Sequence, residues 1–180
     1  SAVSRNRVWA LTHAAGVLAA QGDTTRLAGL ADTIRVLGRQ SAFARDQRLH
    51  YYVDGLLALA RGRDGEAVPL FRRSILSPNV GYTRVNLVLG RTLTRLGRPR
   101  EAVAILQSAL RGMFEGSNLY VTHTDLSEAL AEAFEAAGQR DSAAYHYQRL
   151  VKAWEGADPR FTPRIANARG RAMLMLERRQ

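Results

Sequence analysis

One stretch of the chain, residues 85–110, limits the fold more than any other. Leu89 and Leu93 lie four residues apart, the spacing of one helix face. Gly97 then offers a position where a helix can end with positive φ, and Pro99 stands where the first turn of a new helix tolerates proline. A second apolar stripe follows, formed by Ala102, Val103, Leu106, Ala109 and Leu110. The pattern predicts two short antiparallel helices joined by a tight turn.

The same unit recurs along the chain. Its turn glycines, spaced 40, 35 and 41 residues apart, are Gly22, Gly62, Gly97 and Gly138. Three copies also have a pair of small residues twelve positions apart, one in each helix: Gly55 and Ala67, Gly90 and Ala102, Ala131 and Ala143. The first copy fits through Ala15, Leu18 and Leu27. Small residues at a helix crossing let two backbones approach closely, whereas a bulky one would overpack the contact. We therefore expect a helical repeat.

The third copy resembles the tetratricopeptide repeat, whose signature is W-x2-L-G-x2-Y followed by A-x3-F. The resemblance rests on Asn86, Leu89, Gly90, Leu93, Ala102 and Leu106. Asn86 stands in place of the aromatic residue of the signature, and in the second copy Asp54 stands in place of its leucine. The resemblance implies an all-α, right-handed superhelical solenoid of antiparallel helix pairs, with about nine helices and a C-terminal capping helix.

The repeat spacing predicts a single domain over residues 1–180. Its four repeats span about 5–38, 45–78, 83–112 and 120–155, and the capping helix follows at 163–177. An end helix that is polar outside and apolar inside keeps a repeat array soluble. Lengthened connectors are expected at about 38–44 and 112–119. In the second of these we expect Met113 and Phe114 to pack against the repeats.

Several helix ends can be predicted from capping residues. Asp23 is expected to cap the second helix, Asp64 the fourth and Thr162 the ninth. We expect the second helix to end at Gly38. The third helix is predicted to run from about 43 to 61.

Charge and composition narrow the classes of function. The net charge is +10, and all but one of the 26 basic residues are arginine. The charge is segmented, with +9 over residues 1–117, −4 over 118–158 and +5 over 159–180, unlike the uniform basic stripe expected along nucleic acid. The chain has no cysteine, which excludes thiolate chemistry and leaves the compartment open, with the cytoplasm favoured. No apolar run is long enough to span a membrane, and no secretory signal is visible.

The sequence shows no pattern typical of an enzyme, a metal site or a cofactor site. The histidines are scattered along the chain, at His13, His50, His123 and His146. None has the i, i+4 partner of a helical metal site, and the chain lacks the G-x-S-x-G motif. Glu128, Glu132 and Glu135 share a helix face. We interpret them as a solvated acidic face or a binding rim rather than as paired catalytic carboxylates.

The family resemblance implies a binding surface. In tetratricopeptide repeat proteins the first helix of each hairpin lines a concave groove, where extended peptides commonly bind. Carried over to this chain, the inward positions are Trp9, His13, Tyr52, Leu56, Arg84, Leu87, Arg91, Arg95, Glu128 and Glu132. Such a groove would change from apolar, through a basic cluster, to acidic. The arginines could clamp a carboxylate or a phosphate through charge-assisted hydrogen bonds. Alternatively, Arg91 and Arg95 could pair with the acidic helix next to them.

We therefore expect a non-catalytic scaffold that binds a protein or peptide segment in its groove. An alternative is a regulatory or sensor module of a larger bacterial signalling protein, since similar repeats occur beside kinases and transcription regulators. Nucleic-acid binding is a weaker alternative, because the acidic segment 118–158 and the lack of aromatic and basic residues in alternation count against it. Self-association into a homodimer through the first hairpin also stays open.

Overall fold

The computed structural model of the protein describes residues 2–75, 83–111 and 121–177. Over these residues it contains nine α-helices, two short 3₁₀ turns and no strand. The 3₁₀ turns are Asp46–Arg48 and Pro159–Phe161. The helices are α1 (Ala2–Ala20), α2 (Thr24–Arg39), α3 (Leu49–Ala60), α4 (Asp64–Ser74), α5 (Thr83–Arg95), α6 (Pro99–Arg111), α7 (His123–Ala136), α8 (Arg140–Ala153) and α9 (Thr162–Glu177). The all-α prediction is confirmed.

The chain divides into two compact units, Ser1–Ser77 and Pro78–Gln180. In the first unit α3 packs on α1, α2 and α4, and α1 also packs on α2. In the second unit each helix from α5 to α9 packs on the next, and α5 also contacts α7. Each unit is thus built from hairpins that follow one another in sequence. The expectation of one domain over 1–180 stays a prediction.

The four hairpin turns share one geometry, which is the turn that the glycine spacing predicts. Gly22, Gly62, Gly97 and Gly138 all have φ between 70° and 73°. The residue after each glycine donates its backbone N–H to a carbonyl five residues earlier, as in Asp23 to Leu18 at 3.0 Å. The other three such bonds are each 2.9 Å long. This is the Schellman motif, whose left-handed residue costs little only when it is glycine.

Small residues lie at the helix crossings, as predicted. A Cβ on Gly90 would lie 2.6 Å from Leu106 Cγ, and a Cβ on Gly55 would lie 2.5 Å from Phe71 Cε1. Their counterparts in the first and fourth hairpins, Ala15 and Ala131, are fully buried. The two backbones of each hairpin are close because nothing larger stands between them. The first hairpin follows this rule in its first helix only, because the buried Leu27 stands where the other copies have alanine.

The connector between α2 and α3 differs from its prediction. Helix α2 continues through Gly38 to Arg39, and α3 begins only at Leu49, after the 3₁₀ turn. The reason is a close contact, since a Cβ on Gly38 would lie 2.7 Å from the backbone oxygen of Asp46. The connector therefore folds back onto α2, which requires glycine there for space.

Two of the predicted caps can be compared in detail. Asp23 caps α2, because its Oδ1 accepts a hydrogen bond from the backbone N–H of Arg26 at 3.0 Å. Asp64 does not cap α4 and is instead its first residue, after Arg63, which makes no side-chain cap. An acidic side chain in the first turn still faces the positive end of the helix dipole favourably.

The departure at Asp54 from the repeat signature is explained by an ion pair inside the first unit. Arg35 on α2 places Nη2 3.2 Å from Asp54 Oδ2 on α3, and it also binds Asp32 on its own helix. Burial alone would lower the pKa of Arg35, but the hydrogen bonds and charges of the two carboxylates raise it above its ordinary value. A leucine at 54 could not hold this arginine.

Helix α9 packs on α8 and buries Ala168 and Ala172. Thr162, which we predicted as its N-cap, has helical backbone angles and is instead the first residue of α9, while Asp158 caps the preceding 3₁₀ turn. The outer surface of α9 is less polar than predicted for an end helix, since Met173 and Leu174 are more than half exposed.

Several expectations lie outside the described residues. These are the end of the second repeat at 78, the connector 112–119 with Met113 and Phe114, and the start of the fourth repeat at 120. Within the described residues, no helix has the length and apolar character that crossing a membrane requires.

Candidate functional site: the α5–α7–α9 face

The ten predicted groove residues fall into two sets, one in each unit. Trp9, His13, Tyr52 and Leu56 belong to the first unit. Tyr52 and Leu56 are only 2% and 6% exposed, so they pack in the core and offer no contact surface. Their burial follows from the position of α3, which is surrounded by α1, α2 and α4. The sequence prediction placed these two side chains on the wrong side of their helix.

Trp9 is held by a buried polar network that the sequence did not reveal. Its Nε1 donates to Asp46 Oδ1 at 3.1 Å, and Ser41 Oγ donates to Asp46 Oδ2 at 2.6 Å. Asp46 is fully buried. The guanidinium of Arg45 stacks over the Trp9 ring at 4.7 Å from its centroid. Because these contacts fix the connector to α1, Trp9 has a structural role. His13, one turn further along α1, is half-buried.

The other six residues, all in the second unit, lie on α5 and α7: Arg84, Leu87, Arg91, Arg95, Glu128 and Glu132. Leu87 is 8% exposed and belongs to the core. Arg84 is half-buried near the start of α5, and Arg95 is exposed at its end. Arg91 faces the acidic helix, with Nη2 3.7 Å from Glu128 Oε2. For Arg91 the structure thus favours internal pairing over a free basic clamp.

Helix α9 supplies two further arginines to the same acidic helix. Arg164 Nη2 lies 2.5 Å from Glu128 Oε2 and 3.1 Å from Asp125 Oδ1. Arg171 Nη1 lies 2.6 Å from Glu135 Oε1. Side chains of α5, α7 and α9 therefore form one surface, which we call the α5–α7–α9 face. It consists of Arg91, Asp125, Glu128, Glu132, Glu135, Arg164 and Arg171.

Sequence reasoning missed Arg164 and Arg171 as members of this face. The two arginines and the two glutamates that they bind have the same spacing. Arg164 and Arg171 are seven residues apart, and so are Glu128 and Glu135. Seven residues are about two helix turns, so matched pairs at this spacing can meet across neighbouring helices. That signal was present in the sequence, but it does not say which two helices are neighbours.

The ion pairs and hydrogen bonds shift the pKa values of groups on and beside the face. Burial alone would raise the pKa of Asp125, but hydrogen bonds from Thr122 and Arg164 outweigh it and hold the pKa below its ordinary value. Burial, together with the hydrogen bond that its hydroxyl donates to Glu135 at 2.8 Å, raises the pKa of Tyr147. The bond to Glu128, together with that to Asp125, likewise raises the pKa of Arg164 despite its partial burial. The ion pair between Asp125 and Arg164 thus stabilises both partners in their charged forms.

Glu132 behaves differently from its neighbours. It is exposed on α7, and within the described residues it makes no hydrogen bond or ion pair. Although part of its side chain reaches solvent, the surrounding side chains partly desolvate its carboxyl, and this raises its pKa. The charges of Glu128 and Glu135 add to the shift, against the opposing charges of Arg91 and Arg171. The face therefore carries four carboxylates and three arginines, and Glu132 is the carboxylate left over.

The face holds no arrangement typical of catalysis. Its carboxylates are engaged with arginines or stand alone, and over the described residues no three metal-binding side chains cluster. Its charged side chains come from three helices and are joined by ion pairs of α7 with α5 and α9.

Comparison with known proteins supports the fold. The tetratricopeptide repeat family model matches residues 87–115. A kinesin light chain-like protein of Podosopora anserina with nearly identical TPR-like repeats is similar in structure, with a TM-score of 0.66 and 16% identity over 98% of this chain and 89% of that one. A single-substitution variant of that protein gives the same values. A search of curated protein sequences found no match. The chain has a tetratricopeptide-like helical repeat fold.

Proposed function

We propose that the protein is a non-catalytic interaction module and that the α5–α7–α9 face of its second unit holds a segment of a partner protein. Tetratricopeptide-like repeats generally mediate protein–protein interaction, which supports the first part of the proposal. The second part is supported by the geometry of the face, which consists of charged side chains from three helices that ion pairs hold together.

The observation that carries this proposal is the unpaired charge of Glu132. Internal arginines already neutralise Asp125, Glu128 and Glu135. Glu132 sits among them, exposed and with a raised pKa, so its ionised form is disfavoured in the isolated chain. A cation from outside would relieve this cost, and strained charges of this kind cluster at functional sites.

The expected partner segment therefore carries a lysine or an arginine that reaches Glu132. Arginine suits the position best, because its planar fork can bond a carboxylate in a bidentate fashion. The internal pairs on either side keep the α7 carboxylates in place, which reduces the ordering that binding must impose.

The experiment is a selection followed by affinity measurements. Peptides are selected on the purified protein from a randomised library displayed on phage, and their dissociation constants are measured by fluorescence anisotropy. We expect the selected peptides to contain a basic residue. We expect Glu132→Gln to raise their dissociation constants roughly tenfold, as for the loss of a charge-assisted hydrogen bond.

Glu155→Gln provides the matched control, because Glu155 is exposed in the turn after α8 and is not one of the residues that form the α5–α7–α9 face. This control should leave the affinities unchanged. If Glu132→Gln and Glu155→Gln affected the selected peptides equally, or if neither had any effect, the assignment of this face would be refuted.

A further inference from the structure

The first unit contains a cleft of about 590 Å³ that the proposed function does not use. It lies where the end of α2, the 3₁₀ turn, the start of α3 and the end of α4 meet. Its polar lining consists of Arg39, Gln47, Arg48, His50, Tyr51 and Arg73. All of these residues belong to the same compact unit.

The charge of this cleft is uncompensated. Three guanidinium groups line it, from three different elements, and no carboxylate of the described first unit lies in its wall. Arg39 and Arg48 form no ion pair with any described residue, whereas Arg35 nearby is held by Asp32 and Asp54. Like charges gathered in a concavity concentrate the field and attract a counter-ion.

The third arginine of the cleft is already positioned. Arg73 donates a hydrogen bond to the Tyr51 hydroxyl, and its guanidinium lies 4.0 Å from the centroid of the Tyr51 ring. These two contacts hold the side chain against α3 before any ligand arrives. A preorganised donor loses less freedom when it binds, which favours affinity.

Helix electrostatics explains only part of this arrangement. Arg39 and Arg73 lie in the last turns of α2 and α4, where a cation interacts favourably with the helix dipole. Arg48 is the residue immediately before α3, where a cation faces the positive end of that helix. The dipole of α3 therefore does not account for Arg48, which is at the same time the last residue of the 3₁₀ turn Asp46–Arg48.

We infer that this cleft binds a phosphomonoester group carried by a protein segment, such as a phosphoserine. A tetrahedral dianion accepts hydrogen bonds from several directions at once, which matches guanidinium groups that arrive from three elements. A planar carboxylate presents its acceptors in one plane and could engage fewer of them. The volume of the cleft exceeds what a phosphate alone fills, which leaves room for the residues that carry it.

His50 provides a reporter inside the cleft. Burial lowers its pKa, and the charges of Arg35 and Arg39 lower it further, against the opposing charge of Asp54. A bound dianion would act in the opposite direction and change the ring signals of His50. His13, in the same unit but outside the cleft lining, serves as the internal reference.

The test is an NMR titration of the full chain at constant ionic strength. The probes are a five-residue alanine peptide with a central phosphoserine, the same peptide with serine, inorganic phosphate, and a short oligothymidylate. We expect the phosphoserine peptide to shift the His50 signals in a saturable way, to leave His13 unchanged, and to bind more tightly than the other three probes. We expect Arg48→Gln to weaken this binding roughly tenfold and the matched charge loss Arg61→Gln, in the exposed turn after α3, to leave it unchanged.

Four results would overturn the inference. The first is the absence of any saturable shift, and the second is an equal response to the serine peptide. The third is inorganic phosphate or the oligothymidylate binding at least as tightly as the phosphoserine peptide, which would assign the cleft to a free anion or to nucleic acid. The last is an equal effect of Arg48→Gln and Arg61→Gln. Circular dichroism of both variants verifies that they fold, so that a loss of binding cannot come from unfolding.

Discussion

Replacement of Gly90 by alanine tests the packing rule on which the fold depends. A Cβ at this position would lie 2.6 Å from Leu106 Cγ and 2.7 Å from its Cδ2, and Leu106 is fully buried. In an open helix position the same change stabilises by about 1 kcal/mol, because alanine is the better helix former. Overpacking of a well-packed core costs about 1 to 3 kcal/mol. We therefore expect Gly90→Ala to destabilise the second unit by about 1 kcal/mol.

Gly170 provides the control in the same unit. It lies inside α9, and a Cβ there would meet nothing within 4 Å. Gly170→Ala should therefore stabilise by about 1 kcal/mol, which separates the two variants by about 2 kcal/mol. Urea unfolding followed by far-UV circular dichroism measures both free energies of unfolding.

The contact with Leu106 can be isolated by a double-mutant cycle. Leu106→Ala alone should cost about 2 to 5 kcal/mol, because it leaves a cavity. In that background Gly90→Ala no longer meets the leucine side chain, so it should become stabilising. If Gly90→Ala instead stabilised the original chain as much as Gly170→Ala does, the close crossing of α5 and α6 would be refuted.

Three further predictions concern polar groups. Asp46→Ala should lower the free energy of unfolding by about 1 to 3 kcal/mol, because it leaves the buried donors of Ser41 and Trp9 unsatisfied. Trp9→Phe should lower it by less, about 1 kcal/mol, and equal costs of the two variants in urea unfolding would contradict the network. Glu132→Gln should raise the urea midpoint at pH 7, because the folded-state pKa of Glu132 is raised and its negative charge is therefore unfavourable in the folded state, whereas Glu128→Gln, one turn away, should lower the midpoint. The gain from Glu132→Gln should vanish as the pH falls and the wild-type carboxyl takes up its proton, and a gain that is independent of pH would contradict this. Asp125 has a lowered pKa in the folded state, so its contribution to stability is present above the unfolded-state pKa and is lost as the pH falls through the folded-state value. Asp125→Asn should therefore be less stable than the wild type at pH 7 and should lose less stability on acidification, as measured by thermal unfolding at a series of pH values.

The parts of the fold that depend on local spacing could be predicted from the sequence. A turn glycine and two small residues twelve positions apart define a hairpin, because both requirements arise within about 30 consecutive residues. Gly62 and Gly97 therefore mark their turns correctly, and Gly55 and Gly90 mark their crossings. In the first hairpin only the turn glycine Gly22 and the small residue Ala15 follow this rule, because Leu27 stands twelve residues after Ala15.

The parts that depend on which helices are neighbours could not be predicted. Arg164 reaches Glu128 only because α9 lies beside α7, and no local pattern states this. Asp46 lies in a connector whose path is set by its contact with Gly38, so its burial is equally non-local. Tyr52 shows the same limit, because a helix surrounded on three sides buries a residue that the repeat signature would place in a groove.

How the net charge of +10 acts also depends on which arginines are paired with carboxylates of neighbouring helices. Arg35, Arg164 and Arg171 are held by carboxylates of adjacent helices, so they join helices and contribute little to an external field. Arg39 and Arg48 have no such partner in the described chain and share one concave wall. The net charge alone therefore does not say which arginines are available to an anion. We propose that the charges which matter for binding are the arginines gathered in the cleft of the first unit and the carboxylate of Glu132 on the α5–α7–α9 face of the second.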